Sequence, residues 1–576
     1  MEPEPSAGDP VGEPVLAEGL DAALAAAPAP AKQHGRGGAH AVKVAAGILL
    51  SRVAGFAREA ISGYFFGVSA WADVYSTAMR MPNLLQNLLG DQALSASFIP
   101  FYSKMLAEKR DEDARRFAGA ILGLLLMAAG GLALLGVVFA RPIVAVTAPG
   151  FVHDAQKVAA HTLAVDRYAL TVQQVRVLFP MAGLLVLSAW ALAVLNSHRR
   201  FFLPYAAPVL WNLSIIATFV LVGRRRGGAH LGPLAKSELL YAAAWGALVG
   251  GALQLAIQLP TVLRLLGGLE VSFGTRARGV RDALRAFGPV VAGRGALQLS
   301  GYLDYVLASM AAAGAASAFR YAYALFLLPV GLFATSVAVT ELPEVSRLKT
   351  DEERARRVEW AWRQISFLSL PAVVGFLAFG SLVVGLAFVR GAFGRQEQYL
   401  VTLVLASFTI GLLPATNSRL LQNLFYALHE TRYPARLAVM RVVVSVVAGG
   451  ALMFALDRVN VSQLVTAPFR DHELHLGAVG LGLGTSLGAW LELLLLARGA
   501  RRRVPELHLP WAAMLRTAAL AGGAALLAGG VWRLLDHGGA RLYLVASVVL
   551  GAFTAAYLGG AAALRFPELK TWLRRT

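Results

Sequence analysis

The sequence contains no cysteine in its 576 residues, so disulfide bonds, thiolate metal sites and a cysteine nucleophile are excluded. Charged residues are also scarce, at 15% of the chain, whereas hydrophobic residues make up 57%. Enzyme signatures are missing as well: there is no Walker loop, no HExxH motif and no GxSxG motif. We therefore predict no enzymatic activity and no cofactor. The remaining composition is typical of a protein that crosses a membrane many times.

Positive charge is abundant, with a formal net charge of +19. The Lys and Arg residues lie in short clusters between apolar runs, which is the usual pattern of cytoplasmic loops and not of a nucleic-acid surface. We therefore predict membrane lipids as partners and no nucleic acid. Residues 1–40 are rich in Pro, Ala, Glu and Gly and hold few large apolar residues, which predicts a disordered cytoplasmic tail.

Apolar runs separated by charged or Gly/Pro-rich breaks predict an all-α polytopic membrane protein with about fourteen transmembrane helices. The predicted helices cover residues 42–66, 72–100, 117–140, 167–196, 203–223, 239–266, 281–312, 317–340, 363–390, 399–428, 432–456, 474–498, 511–533 and 541–565. The alternation of basic loops predicts that both termini are cytoplasmic, with residues 224–226 as the one contrary loop. Pro180 and Pro414 predict kinks within two of these helices.

Ionisable residues occur inside the first predicted helix, where each costs about 2.5–3.5 kcal/mol unless it faces a wet cavity. Arg52 and Arg58 are six residues apart and so do not share a face of a straight helix. We expect a bend at Gly55 to turn both arginines toward one cavity. The alternative is that Arg58 forms a local ion pair with Glu59, or that its long side chain extends its charged end to the membrane–water interface.

The second predicted helix carries a continuous polar track. Asp73 and Arg80 lie two turns apart on one face, where they could neutralise each other or flank a substrate. Polar residues continue along this helix and recur in three later ones: Asn83, Gln86, Asn87, Asp91, Gln92, Arg294, Gln298, Asp304, Arg320, Tyr321, Tyr323, Asn417, Arg419, Gln422 and Asn423. From this set we predict a substrate-binding cavity formed by Arg52, Arg58, Asp73, Arg80, Asn83, Asp91, Arg320 and Arg419.

Short motifs follow one another in a specific order between about residues 45 and 500. They include Ser51–Arg58 (SRVAGFAR), Ala72-Asp73, Pro82–Leu85 (PNLL), Thr147–Phe151 (TAPGF), Leu195–Ser197 (LNS), Gln258–Pro260 (QLP), Arg390–Phe393 (RGAF) and Phe425–Leu428 (FYAL). This ordered set resembles the MurJ/MviN family, the lipid II flippases of peptidoglycan synthesis. In that comparison Arg52 and Arg58 match two family arginines, and Asp73 matches a family acid. Arg80 and Arg419 occupy positions that are commonly basic.

The resemblance implies a fold of the multidrug/oligosaccharidyl-lipid/polysaccharide exporter superfamily. Two six-helix lobes, residues 41–266 and 267–500, would surround a central cationic cavity, and residues 501–576 would add two helices and a cytoplasmic C-terminus. The implied activity is flipping of lipid II, an undecaprenyl-pyrophosphate-linked substrate, across the bacterial cytoplasmic membrane by alternating access. Cell-wall synthesis proteins would be further partners. A guanidinium-lined cavity suits a pyrophosphate, and it disfavours a drug exporter of the same superfamily.

The chain also departs from the family pattern. Gln86 and Asn87 stand where the family usually has two arginines, and Ala324 stands where it has a substrate-binding arginine. We predict that Arg320, one turn earlier, replaces the latter. The departures leave two alternatives open: a flippase for another polyprenyl-linked glycan, or a membrane scaffold that does not transport. Coupling to membrane potential, or to an ion at Asp73 or Asp304, also stays open.

Overall fold

The computed structural model describes residues 37–228, 230–331, 345, 347–348, 350–464, 474–536 and 541–570. At 37–46, 82–85, 87–88, 91–92, 96, 289–301 and 536 it describes the backbone alone. The α-helices are α1 (Gly37–Phe66), α2 (Ala70–Leu89), α3 (Asp91–Ser97), α4 (Ile99–Ala107), α5 (Asp111–Val138), α6 (Ala140–Thr147), α7 (Asp154–Ala159), α8 (Arg167–Ser197), α9 (Phe202–Ala206), α10 (Pro208–Arg225), α11 (Pro233–Leu266), α12 (Val280–Met310), α13 (Ala315–Pro329), α14 (Asp351–Phe388), α15 (Arg395–Ile410), α16 (Leu412–Ala427), α17 (Arg432–Leu456), α18 (Gly477–Arg503), α19 (Trp511–Asp536) and α20 (Leu542–Ala563).

Within the described ranges, 10 candidate membrane spans are long and apolar enough to cross a bilayer. They are α5, α8, α9 with α10, α11, α14, α15 with α16, α17, α18, α19 and α20. The prediction of an all-α polytopic membrane protein is thus confirmed, while the count of fourteen spans stays a prediction. The four further helices that the sequence predicts to span, α1, α2, α12 and α13, carry much of the polar track.

Several predicted helices are interrupted, and two of the breaks fall at a glycine. The helix predicted over 72–100 breaks at Gly90, where an added Cβ would lie 2.3 Å from the carbonyl oxygen of Gln86, so only glycine fits. The helix predicted over 399–428 breaks at Gly411, where α15 ends and α16 begins. Pro414 explains this break, because its ring clashes with the carbonyl four residues earlier, at Ile410. By contrast, α8 continues through Pro180 as one helix.

Several helices begin earlier than predicted, and α14 does so because its first turn is polar and well capped. Thr350 and Glu353 form a capping box, with the Thr350 hydroxyl accepting from the Glu353 amide at 3.3 Å. Consequently α14 begins at Asp351 and not at residue 363. At the N-terminus, α1 begins at Gly37, inside the stretch predicted as a disordered tail, and residues 1–36 of that stretch lie outside the described residues.

Helix α12 belongs to two hydrophobic clusters. Its beginning, at Val280, lies in a buried cluster with Met105 and Phe117. Its end, at Tyr305, lies in another cluster with Phe319 of α13. The last two helices, α19 and α20, pack against α14 in a third cluster. Helix α12 therefore connects these two clusters.

Candidate functional site

The first charged cluster, here called the Glu59 cluster, joins α1 to α13. Glu59 accepts a hydrogen bond from Nη2 of Arg58 at 2.9 Å and one from Nη1 of Arg320. Arg320 Nη2 also donates to the hydroxyl of Ser62 at 3.2 Å, which lies 3.4 Å from the hydroxyl of Tyr321. The three charged side chains keep between 12% and 16% of their surface exposed. The predicted substrate residues Arg58 and Arg320 therefore meet on one shared carboxylate.

The Glu59 cluster is rimmed by aromatic rings. The Arg58 guanidinium lies 4.7 Å from the ring of Trp211, and that of Arg320 lies 5.0 Å from the ring of Tyr75. Cation–π contacts of this kind hold an arginine in place without using its N–H donors. The two guanidinium groups are therefore fixed, while part of their hydrogen-bonding capacity remains available.

The second charged cluster, here called the Asp73 cluster, lies where α2 begins. The Asp73 carboxylate accepts from the backbone amides of Gly314 at 2.6 Å and Ser317 at 2.8 Å, at the start of α13. Arg167 Nη1 lies 3.3 Å from the same carboxylate, and its Nε donates to Asp154 at 2.6 Å. The side chains of Asp73, Arg167 and Asp154 are at most 2% exposed. This cluster ties α2 and α8 to the start of α13 in a sealed position.

Arg80 sits farther along α2 against aromatic rings of α12. Its guanidinium lies 3.8 Å from the ring of Tyr305 and 5.4 Å from that of Tyr302. The hydroxyl of Tyr302 donates to the backbone carbonyl of Arg80. In the structure, therefore, Asp73 binds Arg167 and backbone amides while Arg80 stacks on tyrosines, and both residues connect α2 to the α12–α13 region.

The contacts of the two clusters do not include the remaining predicted residues Arg52 and Arg419. Arg52 is half-buried on α1, and Arg419 is half-buried on α16. The side chains of Asn83 and Asp91 lie outside the described residues. Helix α1 continues through Gly55 as one helix, and the structure shows the local pairing of Arg58 with Glu59. The bend expected at Gly55 stays a prediction.

A third charged cluster was not predicted. Glu492 on α18, 1% exposed, accepts from Nη1 of Arg441 on α17 at 2.8 Å and from Gln422 on α16 at 2.9 Å. An acid inside an apolar run is a detectable signal, and Glu492 lies in the run LELLLL. No group of three or more His, Asp or Glu residues within the described ranges is placed to hold a metal ion.

An all-helical membrane fold with ionised groups buried between its helices is typical of membrane transporters. The fold is similar to a solved lipid II flippase MurJ in an inward closed conformation, with a TM-score of 0.68 and 19% identity, covering 91% of this chain and 99% of the other. It is also similar to an inward-facing multidrug resistance MATE family transporter of the MOP superfamily, with a TM-score of 0.57 and 14% identity over 79% of this chain and 95% of that one.

Sequence comparisons identify the family. The family model described as lipid II flippase MurJ matches residues 62–554. A lipid II flippase MurJ of Burkholderia cenocepacia is 29% identical over 84% of this chain and 87% of its own length. A probable lipid II flippase MurJ of Rhizobium tropici is 30% identical over 86% of each. The chain belongs to the MurJ family, which makes it a multi-pass protein of the bacterial inner membrane.

Proposed function

We propose that this chain moves lipid II across the cytoplasmic membrane by alternating access, with its pyrophosphate held by cavity arginines. One observation carries this proposal: the Glu59 cluster keeps buried N–H groups that have no acceptor among the described residues. These groups are Nε and Nη1 of Arg58 and Nε of Arg320. Buried donors without acceptors are costly, and pyrophosphate oxygens would supply the acceptors with charge-assisted hydrogen bonds.

The charge of the Glu59 cluster also favours an anion. Arg58 and Arg320 contribute two positive charges and Glu59 one negative charge, which leaves a net charge of +1. An incoming pyrophosphate competes with Glu59 for the two guanidinium groups. Because Glu59 lies on α1 and Arg320 on α13, this exchange breaks a link between the two helices and lowers the cost of separating them.

In this proposal Arg320 takes the place of the arginine that the family carries at the position of Ala324. The two positions are four residues apart on α13, so they lie on the same face of the helix. Arg52, Arg80 and Arg419 extend the cationic path, and Asn83 and Asp91 complete the polar lining. In this proposal Asp73, which is buried among its partners, fastens α2 to the start of α13 and does not contact the substrate. Both termini are cytoplasmic, and the lobes 41–266 and 267–500 rock against each other, while 501–576 lies beside the polyprenyl tail.

The test is replacement of a bacterial host's own lipid II flippase by this chain. We expect growth with normal walls when the host flippase is depleted, and lysis when the chain carries Arg52→Ala or Arg320→Ala. Arg356→Ala is the matched control, because Arg356 is 68% exposed and pairs only with Glu352 one turn away among the described residues. Full activity of Arg320→Ala would contradict the replacement role of this arginine.

A second candidate is transport of another polyprenyl-linked glycan, and Gln86, Asn87 and Ala324 favour it because they replace family arginines. Lysis of the depleted host despite verified insertion of the wild-type chain would favour this candidate or a scaffold that does not transport. The two are separated by binding of farnesyl pyrophosphate to the purified protein. A flippase for another glycan retains binding that depends on Arg320, whereas a scaffold does not.

A further inference from the structure

A pocket of about 410 Å³ opens where α18 ends and α19 begins, far along the chain from the Glu59 and Asp73 clusters. We call it the Arg498 pocket; it is lined by Arg498, Arg501, Arg502, Leu494, Leu509 and Trp511. The three arginines are exposed, and none forms an ion pair with a residue in the described ranges. The pocket therefore gathers three positive charges that nothing in the described part of the chain neutralises.

A fourth arginine of the same helix end is used differently. Arg503 forms an ion pair with Glu430, donates to the carbonyl oxygen of Gly499 at 3.0 Å, and lies 4.6 Å from the ring of Tyr433. Its partners come from the same chain, so its role is to fix the end of α18. Since Arg503 alone serves this structural purpose, the charges of the Arg498 pocket are not needed to end the helix.

The apolar walls of the pocket place it at a membrane surface. Leu494 is 58% exposed and Trp511 is 53% exposed, on two helices that are apolar enough to cross a membrane. An exposed tryptophan at the end of a spanning helix is characteristic of the membrane–water interface. The pocket thus combines an apolar wall that suits an acyl chain with a basic rim at the depth of lipid headgroups.

We propose that the Arg498 pocket binds the phosphate headgroup of an anionic phospholipid of the surrounding membrane. Basic pockets between helices at a membrane surface attract such headgroups. Guanidinium groups supply several N–H donors to the phosphate oxygens, and Leu494 with Leu509 contacts the first part of the acyl chains. The bound lipid anchors the junction of α18 and α19. This proposal does not depend on the transported substrate.

The test is the retention of phosphatidylglycerol by the purified full-length protein in detergent, measured by native mass spectrometry during lipid titration, with phosphatidylcholine as the neutral comparison. We expect preferential retention of phosphatidylglycerol. Each arginine at an anionic surface is worth about a fivefold change in affinity. The triple variant Arg498→Gln, Arg501→Gln, Arg502→Gln is therefore expected to lose the preference by a factor of about one hundred, and each single variant by about fivefold.

The matched control removes three other exposed arginines, with Arg264→Gln, Arg276→Gln and Arg281→Gln, and is expected to retain the lipid. Equal loss in this control would assign the effect to overall charge and overturn the proposal. Unchanged retention in the pocket variant, or no preference in the wild type, would overturn it too. Displacement of the lipid by millimolar inorganic phosphate would identify a site for soluble anions instead. If the triple variant melts early, the single variants decide the outcome.

Discussion

Asp73 and Glu59 each connect the beginning of the chain to α13, but by different means. Asp73 is fully buried, and two of its partners are backbone amides, which cannot turn away without moving the helix. Glu59 is 13% exposed, and its charged partners are the flexible side chains of Arg58 and Arg320. Glu59 lies seven residues before the end of α1, about 10 Å at the helical rise.

The charge of the two clusters differs as well. Asp73 and Asp154 are balanced by Arg167 and by Lys157, whose Nζ lies 3.3 Å from Asp154, so two negative and two positive charges sum to zero. The Glu59 cluster instead keeps a net charge of +1. A neutral, backbone-bound cluster stabilises one arrangement of helices, whereas a cationic, side-chain-bound cluster can exchange its carboxylate for another anion. We therefore infer that the Asp73 cluster is a latch and the Glu59 cluster is a binding site.

The largest expected effect breaks the latch. Asp73→Ala leaves Arg167 without one of its two carboxylates and leaves the amides of Gly314 and Ser317 without an acceptor. Breaking a buried ion pair costs about 3–5 kcal/mol, so the thermal unfolding temperature of the purified protein in detergent should fall sharply. Asp73→Asn is the milder companion, because its side-chain oxygen can still accept from one amide. If Asp73→Ala and the wild type unfolded at the same temperature, the Asp73 cluster would not act as a latch.

Contacts between residues that are close in the sequence could be predicted, whereas contacts between distant residues could not. Arg58 and Glu59 are neighbours, so the sequence itself predicts their pairing as one alternative. Arg320 was found because it lies one turn from a position where the family carries arginine. Both inferences use spacing along one helix, which the sequence displays directly.

The Asp73 cluster could not be predicted in the same way. Asp73 and Arg167 are 94 residues apart, and the amides of Gly314 and Ser317 are available only because the start of α13 docks beside α2. Every residue except proline carries a backbone amide, so the amino-acid sequence does not show which amides will bind a carboxylate. Glu492 differs, because an acid within an apolar run can be recognised in the sequence. Its pairing with Arg441, which lies on another helix, cannot be recognised there.

The cluster around Glu492 is independent of the other two, because its described members lie on α16, α17 and α18 and form none of their hydrogen bonds with α1 or α2. Glu492→Gln removes a charge-assisted bond to Arg441, worth about 1.5–3 kcal/mol. We expect a clear loss of thermal stability with unchanged binding of farnesyl pyrophosphate. Glu352→Gln is the control, since its pair with Arg356 is exposed and worth well under about 1 kcal/mol. Weakened binding in Glu492→Gln would extend the ligand site to this cluster.

The third change tests the binding site. Glu59→Gln removes the carboxylate that competes with an anion for Arg58 and Arg320. Replacing a charge-assisted contact of about 1.5–3 kcal/mol by a neutral one should tighten binding of farnesyl pyrophosphate by about tenfold, measured by isothermal titration calorimetry in detergent. Arg320→Ala should act in the opposite direction. If Glu59→Gln weakened binding, the carboxylate would be a structural support for the arginines and not a competitor of the ligand.

The smallest expected effect separates the two cations of the latch. Arg167 is 2% exposed and contacts both Asp73 and Asp154, whereas the Lys157 side chain is 48% exposed and contacts Asp154 alone among the described residues. An exposed ion pair contributes at most about 1 kcal/mol, and salt screens it. Lys157→Ala should therefore lower the unfolding temperature slightly at low ionic strength. In 1 M salt the difference from wild type should vanish, because the Debye screening length there is only about 3 Å. Arg167→Ala should remain strongly destabilised at both ionic strengths, because its carboxylate partners are shielded from the added ions. Equal losses in the two variants would mean that overall positive charge at this end of the protein, and not the buried geometry around Asp73, holds the latch closed.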